Sequence, residues 1–155
     1  MRFNTILILF LVVSCILFAC TGDSDDPGTI TVTLVDYGAV AFDPTSTTVT
    51  ISSDSIEYEQ EQSGTIINQW SEQIESSDYE SVRQIVEDYN LVQMTDLTLE
   101  EGQDACIGWE GMTITIDDND SSHSFEIQGS VCRIYWPEGV LALVDLKDAL
   151  VAEYR

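Results

Sequence analysis

The chain has 155 residues, 28 of them acidic and only five lysine or arginine, for a formal net charge of −23. So acidic a surface repels phosphate backbones, which sets nucleic-acid binding aside as a function class, and it repels anionic lipid headgroups in the same way. The length suffices for one domain with one core, and the sequence holds no internal repeat.

In chain order, the first feature is an apolar run from Ile6 to Ala19, preceded by Arg2 and ended by Cys20. A helix needs roughly 20 apolar residues to cross a bilayer. This run is shorter, and its order of positive start, short apolar region and small-residue end is that of a signal peptide. Leu17-Phe18-Ala19-Cys20 resembles the lipobox of prokaryotic lipoproteins, with Phe18 where a small residue usually stands. That resemblance implies that residues 1–19 are a lipoprotein signal peptide. It also implies that Cys20 takes a lipid and holds the chain to the cell membrane on its extracytoplasmic side. An ordinary secretory signal and an uncleaved anchor are the alternatives. Residues 20–28 then form the lipidated cysteine and a flexible acidic tether, whose Asp, Ser, Pro and Gly do not support a packed core. Residues 29–155 form the single domain. Removing residues 1–19 takes away Arg2 and no acidic residue, so the charge passes from −23 to −24.

The acidic residues are spread along the domain, and Lys147 is the only lysine. This composition resembles that of salt-adapted archaeal or bacterial proteins, in whose surroundings self-repulsion is screened over about 3 Å at 1 M salt. A basic partner and bound divalent cations are the other readings of the acid.

The domain opens as strands. Ile30, Val32 and Leu34 alternate with threonines, and after Asp43-Pro44 so do Val49 and Ile51. Ile56 and Tyr58 alternate with Glu57 and Glu59, and Ser63-Gly64 punctuates a hairpin into Thr65 to Trp70. The period then changes. Ser77-Asp78-Tyr79-Glu80 has capping-box spacing, and Tyr79, Val82, Ile85, Val86 and Tyr89 follow at helical intervals to a stop at Asn90. Arg83 and Glu87 are placed to pair on the helix surface. Past a polar loop, Met112, Ile114 and Ile116 alternate outward, Asp117 to Ser122 reverses the chain, and His123, Phe125 and Ile127 alternate back. Trp136-Pro137 opens a second helix, whose stripe is Val140, Leu143, Val144, Leu146, Leu150 and Val151. The expected fold is α+β, an antiparallel sheet of about six strands with two helices on one face, in the order ββββαββα.

Cys106 and Cys132 bracket the second hairpin. A turn centred between Asn119 and Asp120 sets Arg133 opposite Cys106, one position from Cys132. Two sulfurs brought so close in an exported protein oxidise, so a Cys106–Cys132 disulfide is expected. Trp109, Tyr135 and Trp136 lie near these cysteines, among Gly108, Gly111 and Gly139. They form a candidate patch for docking a partner or a sugar ring; the competing reading packs the rings over the disulfide and the base of the second helix.

The chemistry of enzymes is thinly represented. His123 is the only histidine, on the arm of a polar hairpin, and the sequence has no HExxH, GxGxxG or GxxxxGK[ST] pattern. Abundant carboxylates make any acid–base pair undiscriminating. The turn residues Asp117, Asp118 and Asp120 are a weak candidate for Ca²⁺, without the EF-hand's glycine and distal glutamate, against the reading of a solvated hairpin tip. No cofactor is expected.

The half-buried strands, the helix after Ser77, the hairpin MTITIDDNDSSHSFEI and the closing PEGVLALVDLKDAL are similar to small prokaryotic lipoprotein domains. More loosely, the pattern is similar to emfourin-type inhibitors of metalloproteases, although only Tyr37-Gly38-Ala39 stands where a glycine pair would be expected near the first strand. The first resemblance implies a lipid-anchored, non-enzymatic cell-surface module that binds a protein or a cell-envelope component; the second implies inhibition of a secreted metalloprotease.

Overall fold

The computed structural model describes residues 28–38, 44–107 and 109–155. The signal-peptide segment, Cys20, most of the tether and Gly108 lie outside the described residues, as does the side chain of Trp109. Six strands and two helices follow in the expected order: β1 Thr31–Gly38, β2 Thr45–Ile51, β3 Ser55–Gln62, β4 Thr65–Gln73, α1 Ser76–Asp88, β5 Trp109–Asp117, β6 Ser122–Gln128 and α2 Glu138–Tyr154. The strands make one antiparallel sheet in the order β4-β3-β2-β1-β5-β6, so the fold is α+β.

Residues opposite one another in an antiparallel sheet share a face, and the registers therefore draw rows across it. One row runs through Trp70, Tyr58, Val49, Leu34, Ile114 and Phe125, touching every strand. A second joins Ile56, Ile51, Val32, Ile116 and His123. The buried members of both rows share one core with Val82 and Val86 of α1 and Val140, Leu143, Val144 and Leu150 of α2, so both helices cover this face. The alternation read in the sequence is the inside–outside alternation of the strands. The opposite face is polar. On it Thr33 lies 3.5 Å from Thr50, and Thr115 lies 3.1 Å from Ser124, hydroxyl to hydroxyl.

The β3–β4 hairpin closes through Ser63 and Gly64, both at positive φ (50° and 81°), which a two-residue turn of this hand requires and which glycine adopts without strain. The β5–β6 register sets Asp117 opposite Ser122, with the turn centred as expected. α1 departs from expectation at its start. It begins at Ser76 after Glu75, and no side chain caps it. The Ser77 carbonyl instead accepts from Ser81 Oγ at 2.9 Å. Tyr154 replaces the capping box: its hydroxyl accepts from the Glu75 N–H at 2.9 Å and donates to Asp78 Oδ2 at 2.7 Å. The strand hands over to the helix within two residues, and the Tyr154 hydroxyl from the end of α2 bridges the N-cap amide of Glu75 and the Asp78 carboxylate, taking the amide that the glutamate of a capping box would take. Asn90 does end the helix, in the left-handed region at φ 50°. Tyr79 ties α1 to the sheet, its hydroxyl accepting from Ile30 N at 2.9 Å and donating to Ile30 O at 3.0 Å.

The segment after α1 covers the outer edge of β6. Leu97 bridges Ile127 in parallel, its N–H donating to the Glu126 carbonyl and its carbonyl accepting from the Gln128 N–H. The Glu126 N–H reaches Asp96 Oδ1, and His123 Nε2 donates to the Met94 carbonyl at 2.8 Å. His123 therefore sits half-buried on the core face and holds a loop in place.

Candidate functional site

The site lies where the β5–β6 ladder gives out. Regular pairing ends at Gly111 opposite Gln128, and Gly111 stands at φ +134° with its Cα against the opposite strand; a Cβ there would lie 2.6 Å from the Ile127 carbonyl oxygen. Beyond it the pairing slips by three residues. Ala105 bridges Val131, and Cys106 N donates to Ser130 O. The slip places Ser130, rather than the expected Arg133, opposite Cys106, and the structure joins Cys106 to Cys132 as a disulfide with Cα atoms 5.1 Å apart. The loop it closes spans 26 residues, which corresponds to about 3.5 kcal/mol on the chain-entropy view.

Next to the disulfide opens a cavity of about 380 Å³, walled by Asp36, Met112, Cys132, Trp136, Lys147 and their neighbours. Trp136 arrives from a short 3₁₀ turn, Arg133–Tyr135, that leads into α2. Trp136 is 9% exposed, and its Nε1 donates to the Val131 carbonyl at 3.2 Å. Tyr135 is half-buried, and its hydroxyl accepts from the Asp104 N–H at 3.4 Å. Trp109 enters the site by its backbone, paired with Gly38 at the end of β1. Of the candidate patch, then, Trp136 forms cavity wall and Tyr135 braces the adjoining loop.

Exposed apolar surface at this end comes from residues that the sequence reading missed. Ile107, next to Cys106, is 98% exposed, and Ile134, two residues after Cys132, is 81% exposed. Both stand outside any periodic run, and the signal that marks them is a lone isoleucine next to a cysteine or within a 3₁₀ turn.

Charge is distributed unevenly. Two of the chain's five basic residues, Arg133 and Lys147, line this cavity together with Asp36 and Asp148. Lys147 falls on the buried stripe of α2 between Val144 and Leu150, and its ammonium pairs with Asp148. Arg133 pairs with Asp145, and its guanidinium lies 5.7 Å from the centre of the Trp136 ring. The wall of the cavity thus carries two positive and two negative groups in a domain that is elsewhere overwhelmingly negative. An apolar ligand surface with a few polar groups meets matching chemistry there.

The other sites read from sequence fall elsewhere. Asp118 spends its carboxylate inside its own turn, accepting from the N–H groups of Asp120 and Ser121 and from the Ser121 hydroxyl. The backbone hydrogen bond from Asp120, followed by the two from Ser121, holds its pKa below the usual carboxylate range. Among the described residues no group of three or more histidine, cysteine or acidic side chains is disposed to hold a metal. A scan against protein-family models gives no match for this chain, and neither does a search of curated proteins.

Proposed function

We propose that the mature chain is a lipid-anchored, non-enzymatic module on the extracytoplasmic side of the cell membrane. In this reading Cys20 carries the lipid, residues 20–28 hold the domain off the bilayer, and the disulfide end engages a protein or cell-envelope component. One observation carries the binding role: Ile107, almost fully exposed, lines a cavity walled by Trp136 and held by a covalent cross-link, and the exposed Ile134 follows Cys132 by two residues. Exposed large apolar side chains beside a rigid concavity are what protein docking sites present. The test uses the full chain as bait against the surface and secreted proteins of its host, at low and high salt, beside the variant Ile107→Asp/Ile134→Asp. A partner that survives high salt and is lost with the variant is the expected result. Capture that disappears in salt, or that the variant retains, contradicts the proposal.

A second reading shares the same feature. Ile107, exposed next to the disulfide, is an apolar side chain open to a protease cleft, and the pattern similarity to emfourin-type inhibitors makes a secreted metalloprotease the alternative partner. A secreted metalloprotease whose turnover falls at stoichiometric dose would select this reading.

A further inference from the structure

The two edges of the sheet are finished differently. β6 is sealed by Leu97 and Asp96, whereas β4, at the other end, pairs with β3 alone among the described residues. Its nine residues include one charged side chain, Glu72, and its Ile66 and Ile67 are each 51% exposed. Alternate residues of such a strand turn their N–H and C=O groups outward to water, and most natural edge strands of this length carry charge or proline against unwanted pairing.

Behind this edge stands a row of acid. Glu57, Glu59 and Glu61 alternate along β3 and so share the helix-free face, opposite Ser71, Gln69 and Ile66 of β4. Glu57 and Glu59, with Thr48, Thr50, Gln69 and Ser71, wall a cavity of about 490 Å³. The ion pairs among the described residues all involve other carboxylates. On the opposite face, Trp70 stacks on Tyr58 with centroids 5.3 Å apart, and its buried Nε1 has no acceptor among the described residues.

We propose that the β4 edge and the carboxylate-walled cavity beside it dock an extended basic segment of another protein, which joins the sheet as an added strand. Backbone hydrogen bonds supply the attachment, as in other strand additions, and alternate side chains supply the selection. A strand laid against β4 lies two strand spacings, about 10 Å, from β3. Lysine or arginine on its helix-free face reaches across the small Ser71 and the neutral Gln69 toward Glu57 and Glu59. Side chains on its other face fall beside Trp70 and are apolar. A second copy of this chain fits less well, because pairing β4 with β4 brings two glutamate rows and two acidic domains together.

The test is fluorescence anisotropy with the full chain and three labelled synthetic peptides: alternating valine and lysine, alternating proline and lysine, and alternating valine and glutamate. Proline keeps the charge but cannot donate to a ladder. The valine–lysine peptide is expected to bind at least about tenfold more tightly than the proline–lysine peptide, and the valine–glutamate peptide not at all. Ile67→Lys, which adds a charge to the edge, and Glu57→Gln/Glu59→Gln, which alters two outward-facing side chains, should each remove most of that binding. Equal affinity for the two lysine peptides overturns the proposal, as does absence of binding. So does a homodimer in sedimentation that Ile67→Lys dissolves, which would assign the edge to a second copy.

Discussion

The two ends of the sheet use the same strand pattern to opposite effect. On β1, β5 and β6 the alternating Val32, Leu34, Met112, Ile114, Ile116, Phe125 and Ile127 are buried in the core shared with α1 and α2, and the outer edge is closed by Leu97. On β3 and β4 the alternation continues, but the helices do not follow it out. Tyr58 and Trp70 are only partly covered, and most of β4 is exposed. Alternation alone therefore says that a strand has two faces; how deeply one face is buried depends on what the rest of the chain lays over it.

Substitution at the two ends should separate them most sharply. Leu34 is 1% exposed at the centre of the row that crosses all six strands, whereas Ile66 is 51% exposed on β4. Leu34→Ala should cost about 2–5 kcal/mol in urea unfolding, and Ile66→Ala about 0.5 kcal/mol or less. Similar losses at both positions would erase the distinction.

A smaller effect is expected from the cross-link. Reduction of Cys106–Cys132, or Cys106→Ser/Cys132→Ser, should lower stability by about 3.5 kcal/mol while leaving the β3–β4 pairing in place. Denaturation with and without reductant measures the loss, and amide NMR shifts of Thr65–Gln73 report the pairing. Loss of those shifts would show that the open end depends on the clamp.

The smallest effect lies at the β5–β6 turn. Asp118 has its folded pKa depressed by the Asp120 and Ser121 hydrogen bonds. Its contribution to the turn is therefore present above the ordinary carboxylate pKa, about 3.9, and is lost as pH falls through the depressed folded value. Carboxyl ¹³C titration should place Asp118 below the exposed aspartates, and the Ser121 amide resonance should shift with it. A midpoint at or above theirs would remove this turn from the acid-labile parts of the molecule.

Much of the architecture was legible because alternation and helical spacing are dictated by burial. Val32, Leu34, Val49 and Ile51 marked the central strands, and the turn between Asn119 and Asp120 fixed the β5–β6 register as far as Gly111 and Gln128. What stayed hidden depends on contacts distant in sequence. Ser77 has the local chemistry of a cap, but Tyr154, from the far end of the chain, takes the Glu75 N–H. Lys147 bears no local mark of burial in the sequence, yet it lies among the buried residues of α2, its ammonium paired with Asp148. The three-residue slip past Gly111, and the exposure of Ile107 beyond it, have no periodic signature.

The division into a closed and an open end is tested most directly by native-state hydrogen exchange of the full chain, disulfide intact, read strand by strand. The amides of β1 and β5 should exchange only through global unfolding, while the outward amides of β4 exchange orders of magnitude faster. Equal protection of β4 and β5 would contradict the division and show that the β4 edge is already covered.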